Sequence, residues 1–130
     1  MSTFVVDTHA LVWYLDKDKK LSKNAEIALD SANAILVIPT IVLAEVKHLF
    51  RKRRISISFE DVMHAIENDK RCIIYPFDLS CVEYLDERLD LHDGIIVATG
   101  VIFHDSVDQF TKIITRDIAI KQSGLINTLW

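Results

Sequence analysis

Short, continuous apolar runs alternate along the chain with segments whose apolar residues recur at helical spacing. TFVVD (3–7) reads as a buried strand, and THALVWYL (8–15) as the helix that follows it. LSKNAEIALDSA starts a second helix, with Ser22 placed to cap it. AILVI (34–38) is a strand ended by Pro39, and TIVLAEVKHLFRK (40–52) is a helix opened by Thr40. SFEDVMHAIEND begins with Ser58 and Asp61 at capping-box spacing. RCIIY (71–75) is a strand stopped by Pro76, and SCVEYLDERL repeats the capping signature with Ser80 and Glu83. DGIIVATGVIFH (93–104), opened by Asp93, is the most apolar helix. KIIT (112–115) is a strand, DIAIKQSG a short helix ending at Gly124, and INTLW a last short strand.

Strands and helices therefore alternate, and the strands are continuously apolar, as in a parallel sheet covered on both faces. The pattern predicts an α/β three-layer sandwich, with a central, mainly parallel sheet of four or five strands flanked by helices. At 130 residues, half of them hydrophobic, the chain reads as one domain, 1–130, with a real core. No apolar run reaches the roughly 18 residues of a membrane helix. The N-terminus lacks the signal-peptide pattern, so the expectation is a soluble, cytoplasmic protein with no membrane partner. Cys72 and Cys81 form no CxxC or zinc pattern and read as idle thiols. Three glycines are too few and too scattered for a Walker loop or a GxGxxG turn, and the five histidines form no HExxH.

Sites in parallel sheets form beyond the carboxyl ends of the strands, which draws attention to four carboxylates at apolar junctions. Asp7 ends the first strand, Asp117 lies just past KIIT, and Asp93 opens the apolar helix. Each could be a plain N-cap. Glu45 lies within a helix whose apolar face is drawn by Val42, Val46, Leu49 and Phe50; it falls at the border of that face with no basic residue at i±4. It could snorkel to solvent, but a half-buried carboxylate without a partner is costly unless a cation compensates it. Clustered carboxylates suit a hard divalent cation, and such a site can activate water against a phosphate.

VVDTHALVWYL, TIVLAEV, LDLHDGIIVATG and IITRDIAIKQSGLINTLW resemble, in order, spacing and chain length, the four acidic motifs of PIN-domain ribonucleases. The nearest likeness is to the toxins of VapBC-type toxin–antitoxin pairs. The resemblance implies that Asp7, Glu45, Asp93 and Asp117 form a metal-binding quartet for Mg2+ or Mn2+, supported by the Thr115 hydroxyl, with Asp90 as a further acidic position. It also implies an RNA substrate and an antitoxin partner. Gly94 departs from the pattern, since many relatives carry a basic residue directly after this acid. The net charge of −4 argues at first against nucleic acid. With four carboxylates committed to metal, the rest balances at 15 basic against 15 acidic residues.

Arg51, Arg53 and Arg54 in RKRR could contact phosphate or simply end a solvated helix, favoured there by its dipole. His9 and His92 flank candidate ligands. His92–Asp93 also resembles the pair of HD-type phosphohydrolases, which need more histidines on an all-helical scaffold. ALVWYL (10–15) is apolar all round, so Trp13 could belong to a crowded core or to a sticky face that meets a second copy or an antitoxin. The resulting expectation is a metal-dependent endoribonuclease toxin that forms a homodimer. The alternatives are a receiver-type phosphoacceptor domain and a PIN-fold binding module without activity. The receiver reading lacks the acidic pair after strand one, and INTLW carries no lysine.

Overall fold

The computed structural model describes residues 1–130. In chain order the elements are β1 (Ser2–Val6), α1 (Thr8–Asp16), α2 (Lys23–Asp30), β2 (Ala34–Pro39), α3 (Thr40–Arg51), α4 (Phe59–Glu67), β3 (Cys72–Tyr75), α5 (Leu79–Glu83), α6 (Leu91–Ser106), β4 (Lys112–Ile114), α7 (Ile118–Ser123) and β5 (Thr128–Leu129). The strands form one sheet in the order β3-β2-β1-β4-β5, and every pairing is parallel. Seven helices flank it, so the predicted α/β sandwich is the observed one. A receiver domain has the order 2-1-3-4-5, and this sheet excludes that alternative.

Consecutive residues of β1 and β2 point to opposite faces, yet Phe4, Val5, Val6, Leu36, Val37 and Ile38 are all buried. Both faces are therefore covered, which is why these strands read as unbroken apolar runs. The cover fails at the β3 edge, where Ile73 and Ile74 are exposed. Helix α6 lies close against the sheet: a Cβ on Gly100 would stand 2.9 Å from Ile126 Cδ1 and 3.1 Å from Ile113 Cγ1. Gly124 ends α7 with φ 67°, a left-handed conformation that favours glycine.

Several local readings hold. Ser22 and Ser58 accept capping bonds from Ala25 and Asp61. Others need correction. The α5 cap is Asp78, whose carboxylate accepts from Cys81 N–H, and Ser80 lies inside the helix. Helix α6 begins at Leu91, so Asp93 sits in its first turn rather than opening it. On α3 the buried face is Val42, Leu43 and Val46, while Phe50 is exposed.

ALVWYL is core. Ala10, Leu11, Val12 and Trp13 are buried, and the Tyr14 hydroxyl donates to Asp30 at 2.7 Å. Trp13 is only 7% exposed, between His9, Trp130 and the Arg116 guanidinium, which lies 4.4 Å from its ring centre. The sticky face expected at Trp13 is therefore not there, because the chain's own C-terminal segment covers it. No helix is long and apolar enough to cross a membrane.

Candidate active site

The strand order reverses at β1, which has β2 on one side and β4 on the other. Ligand crevices of parallel sheets open at such a switch point, beyond the carboxyl ends. Register brings the key residues together there. Val6 pairs with Ile114, so the next residues, Asp7 and Thr115, stand side by side. Asp7 N–H donates to the Ile114 carbonyl at 3.1 Å. The buried Thr115 hydroxyl donates to Asp7 Oδ2 at 2.5 Å and accepts from Asp117 N–H at 3.0 Å. One threonine thus ties two acids from different strand ends. Both acids also act as caps: Asp7 Oδ1 accepts from Thr8 N–H at 2.7 Å, and Asp117 Oδ1 from Ile120 N–H at 2.9 Å. Capping and clustering are compatible, because a β-strand feeding a helix needs an N-cap where the site also forms.

Glu45 comes from the second turn of α3 and Asp93 from the first turn of α6; both are half-buried. His92 stands between them, with Nε2 3.2 Å from Glu45 and Nδ1 3.6 Å from Asp93. The sequence marked His92 only as a neighbour of a candidate ligand. Its bridging role depends on α3 and α6 meeting, which no local pattern announces.

The charges are coupled. Burial pushes the Asp7 carboxyl above its usual value, against the Thr115 and Thr8 hydrogen bonds and the His92 charge, and Glu45 adds to the rise. Burial likewise raises Asp93, helped by Asp117 and Asp7. Glu45 is lowered by His92 first of all, and His92 is raised by Glu45 first of all, with Asp7 and Asp93 adding. Glu45 thus acts on Asp7, Asp7 on Asp93, and Asp117 on Asp93, so all four acids share one electrostatic neighbourhood.

As they stand, no three His, Cys, Asp or Glu side chains form a ready ligand set. The donor chemistry nevertheless fits a hard divalent ion: four carboxylates from four elements, most of their oxygens without protein donors. Three buried side-chain polar atoms lack a hydrogen-bond partner, and two of them, Thr8 Oγ1 and His92 Nε2, border Glu45. The His92–Glu45 approach has the distance of an ion pair but not the angles of a hydrogen bond.

Other predicted residues lie apart. Asp90 is exposed at the N-cap position of α6, makes no capping bond, and is not among the charges that shift Asp93. Arg51, Arg53 and Arg54 are all exposed. Arg53 and Arg54 lie beside Asp16 and Asp18, at the far end of α1 from Asp7. Gly94 is buried, and a Cβ there would stand 3.4 Å from Leu85 Cδ2, in ordinary contact. Exposed Arg116, which precedes Asp117 in the chain and lines the same cavity, was passed over by sequence reasoning. Its position inside the TRD motif was the available signal.

A family model described as the PIN domain matches residues 4–122. Among solved structures, a chain of VapBC2 from Rickettsia felis bound to a DNA fragment from their promoter matches with a TM-score of 0.61 at 18% identity, covering 97% of this chain and 96% of that one. At that identity the likeness is one of fold. No curated protein matches the sequence.

Proposed function

The chain belongs to the PIN domain family, and on that premise we propose that it is a metal-dependent endoribonuclease, the toxin of a toxin–antitoxin pair. The observation that carries the reading is the convergence of Asp7 and Asp117, tied through Thr115, and of Glu45 and Asp93, bridged by His92, at the switch point of a parallel sheet. In this reading those four hold Mg2+ or Mn2+, and drawing them onto an ion overcomes their mutual repulsion. A bound divalent ion supplies Lewis acidity toward water and the phosphate oxygens. Thr115 fixes the Asp7 carboxylate and the Asp117 backbone through one hydroxyl. His92 orients Glu45 and Asp93 and offsets part of their charge. Arg116, exposed beside Asp117, offers a guanidinium to the flanking phosphate.

The inactive-module alternative finds no support, since no acid of the quartet is missing or paired away by a lysine or arginine. An antitoxin partner is supported by the shared fold with a chain of VapBC2. It is also supported by apolar side chains that this chain leaves open. Phe77, Leu79, Val82 and Tyr84 around α5 are each more than 40% exposed, as is Leu91 at the start of α6. In this reading an antitoxin segment docks on this surface rather than on Trp13.

The test is cleavage of single-stranded RNA in Mg2+ or Mn2+. Chelator should stop it, and Asp7→Asn should lower it by about a hundredfold or more while circular dichroism stays native, since metal-site changes one shell further out already cost about 10- to 100-fold. Cleavage undiminished in chelator would refute the metal mechanism.

A further inference from the structure

Beside the acidic cluster lies a cavity of about 410 Å³, lined by Asp7, His9, Arg116, Asp117, Ile118 and Trp130 among others. Resting on the reading of the cluster as an RNA phosphodiester site, we infer that this cavity is a subsite for one unpaired nucleobase of the RNA strand next to the bond that is cut.

The wall is chemically split. Trp130 and Ile118 present apolar surface, and His9 and Arg116 present nitrogen donors. Ile118, also in the lining, is 68% exposed, an apolar contact that the fold leaves unused. Trp130 is only partly covered; it meets Trp13 edge-on at 6.0 Å and 62°, an arrangement that fixes the outer ring while the inner one is buried. Arg116 and His9 are likewise held against Trp13, so the donors and the aromatic wall share one rigid backing.

Charge selects among occupants. The lining mixes Asp7 and Asp117 with His9 and Arg116 and adds an aromatic ring, so it is not the all-cationic pocket that a bare phosphate would select. A flat, neutral heteroaromatic ring suits an aromatic wall and can accept from Arg116 or His9 at its edge. The lining is shared with two acids of the quartet, so a base held here leaves its phosphate at the cluster.

The test uses the full chain carrying Asp93→Asn, which should bind RNA without cutting it. The probes are a single-stranded RNA tetramer and four versions of it, each with one abasic position, titrated by tryptophan fluorescence. One abasic position should weaken binding about five- to a hundredfold, the range of a single base–aromatic stack. Adding Trp130→Ala should erase that penalty. Because Trp130 also packs on Trp13, Ile118→Ala serves as the second variant: it trims an exposed apolar side chain of the lining without adding charge beside Asp117 and should shrink the same penalty. Unchanged penalties in both variants, or no abasic position that matters, would overturn the inference. Base-dependent binding by a wild-type chain that never cleaves would keep the subsite and sink the nuclease reading; cleavage indifferent to every abasic position would do the reverse.

Discussion

Half-buried charge sits at both ends of this sheet, and the two ends treat it differently. At the amino ends of the strands, Arg71 and Asp69 neutralise each other through a bidentate pair with contacts of 2.7 and 3.0 Å. Arg71 Nη1 also donates to the carbonyls of Leu29 and Ser31, where α2 ends. Close by, Asp108 accepts from Thr3 N–H and closes the start of β1. At the carboxyl ends, four carboxylates share two histidines, His92 and His9, and two of the acids are driven toward protonation. The first end pairs its charged groups and serves the fold, although the buried Thr3 hydroxyl there lacks a partner. The second is left in electrostatic deficit, which is what a cation site requires and what a purely structural cluster avoids.

That contrast can be broken from either side. The largest effect on stability should come from Arg71→Ala, which strands Asp69 and leaves two α2 carbonyls without their donor. It should cost about 2 kcal/mol in denaturant unfolding, within the range for hydrogen bonds to charged groups. Cleavage per folded molecule should not change; an activity loss beyond the unfolded fraction would mean that the two ends are coupled.

Thr115→Val comes next. It keeps the shape and removes the hydroxyl that ties Asp7 to Asp117. RNA cleavage should fall about tenfold, the lower end of the range for groups that orient metal ligands, with a matching rise in the metal concentration needed. An unaltered metal requirement would reduce Thr115 to a packing residue.

The smallest effect concerns pH. Asp93 has a folded-state pKa above its usual value. Relative to the unfolded chain its contribution to stability is therefore fully present below the unfolded pKa and is lost as pH rises through the folded pKa. In metal-free buffer, Asp93→Asn should raise the melting temperature by a few degrees at neutral pH, and the gain should fade toward acid pH. A lower melting temperature at neutral pH would show that Asp93 is a stabilising helix-start charge rather than a strained one.

Much of this was legible in the residues, for reasons that differ by element. The buried strands declare themselves because both their faces are apolar, and Asp7 and Asp117 because a strand-to-helix junction in a parallel sheet has only one possible end. Glu45 was visible as a charge on the border of an apolar stripe. What stayed hidden depends on contacts between elements distant in sequence. His92 reads as a surface residue until α6 is laid against α3. Trp13 reads as surplus until Trp130 and Arg116 cover it. The Asp78 cap was missed because Ser80 offers the same signature two residues later.

The central claim is that the four carboxylates act as one cation site, and Mn2+ binding read by electron paramagnetic resonance tests it without any substrate. The wild-type chain should bind Mn2+ in competition with Mg2+. Asp7→Asn, Glu45→Gln, Asp93→Asn and Asp117→Asn should each weaken binding by about tenfold or more, as expected when a charged ligand is lost, while Asp61→Asn, an exposed acid on α4, should not. Equal affinity across the four variants and the control would contradict the account.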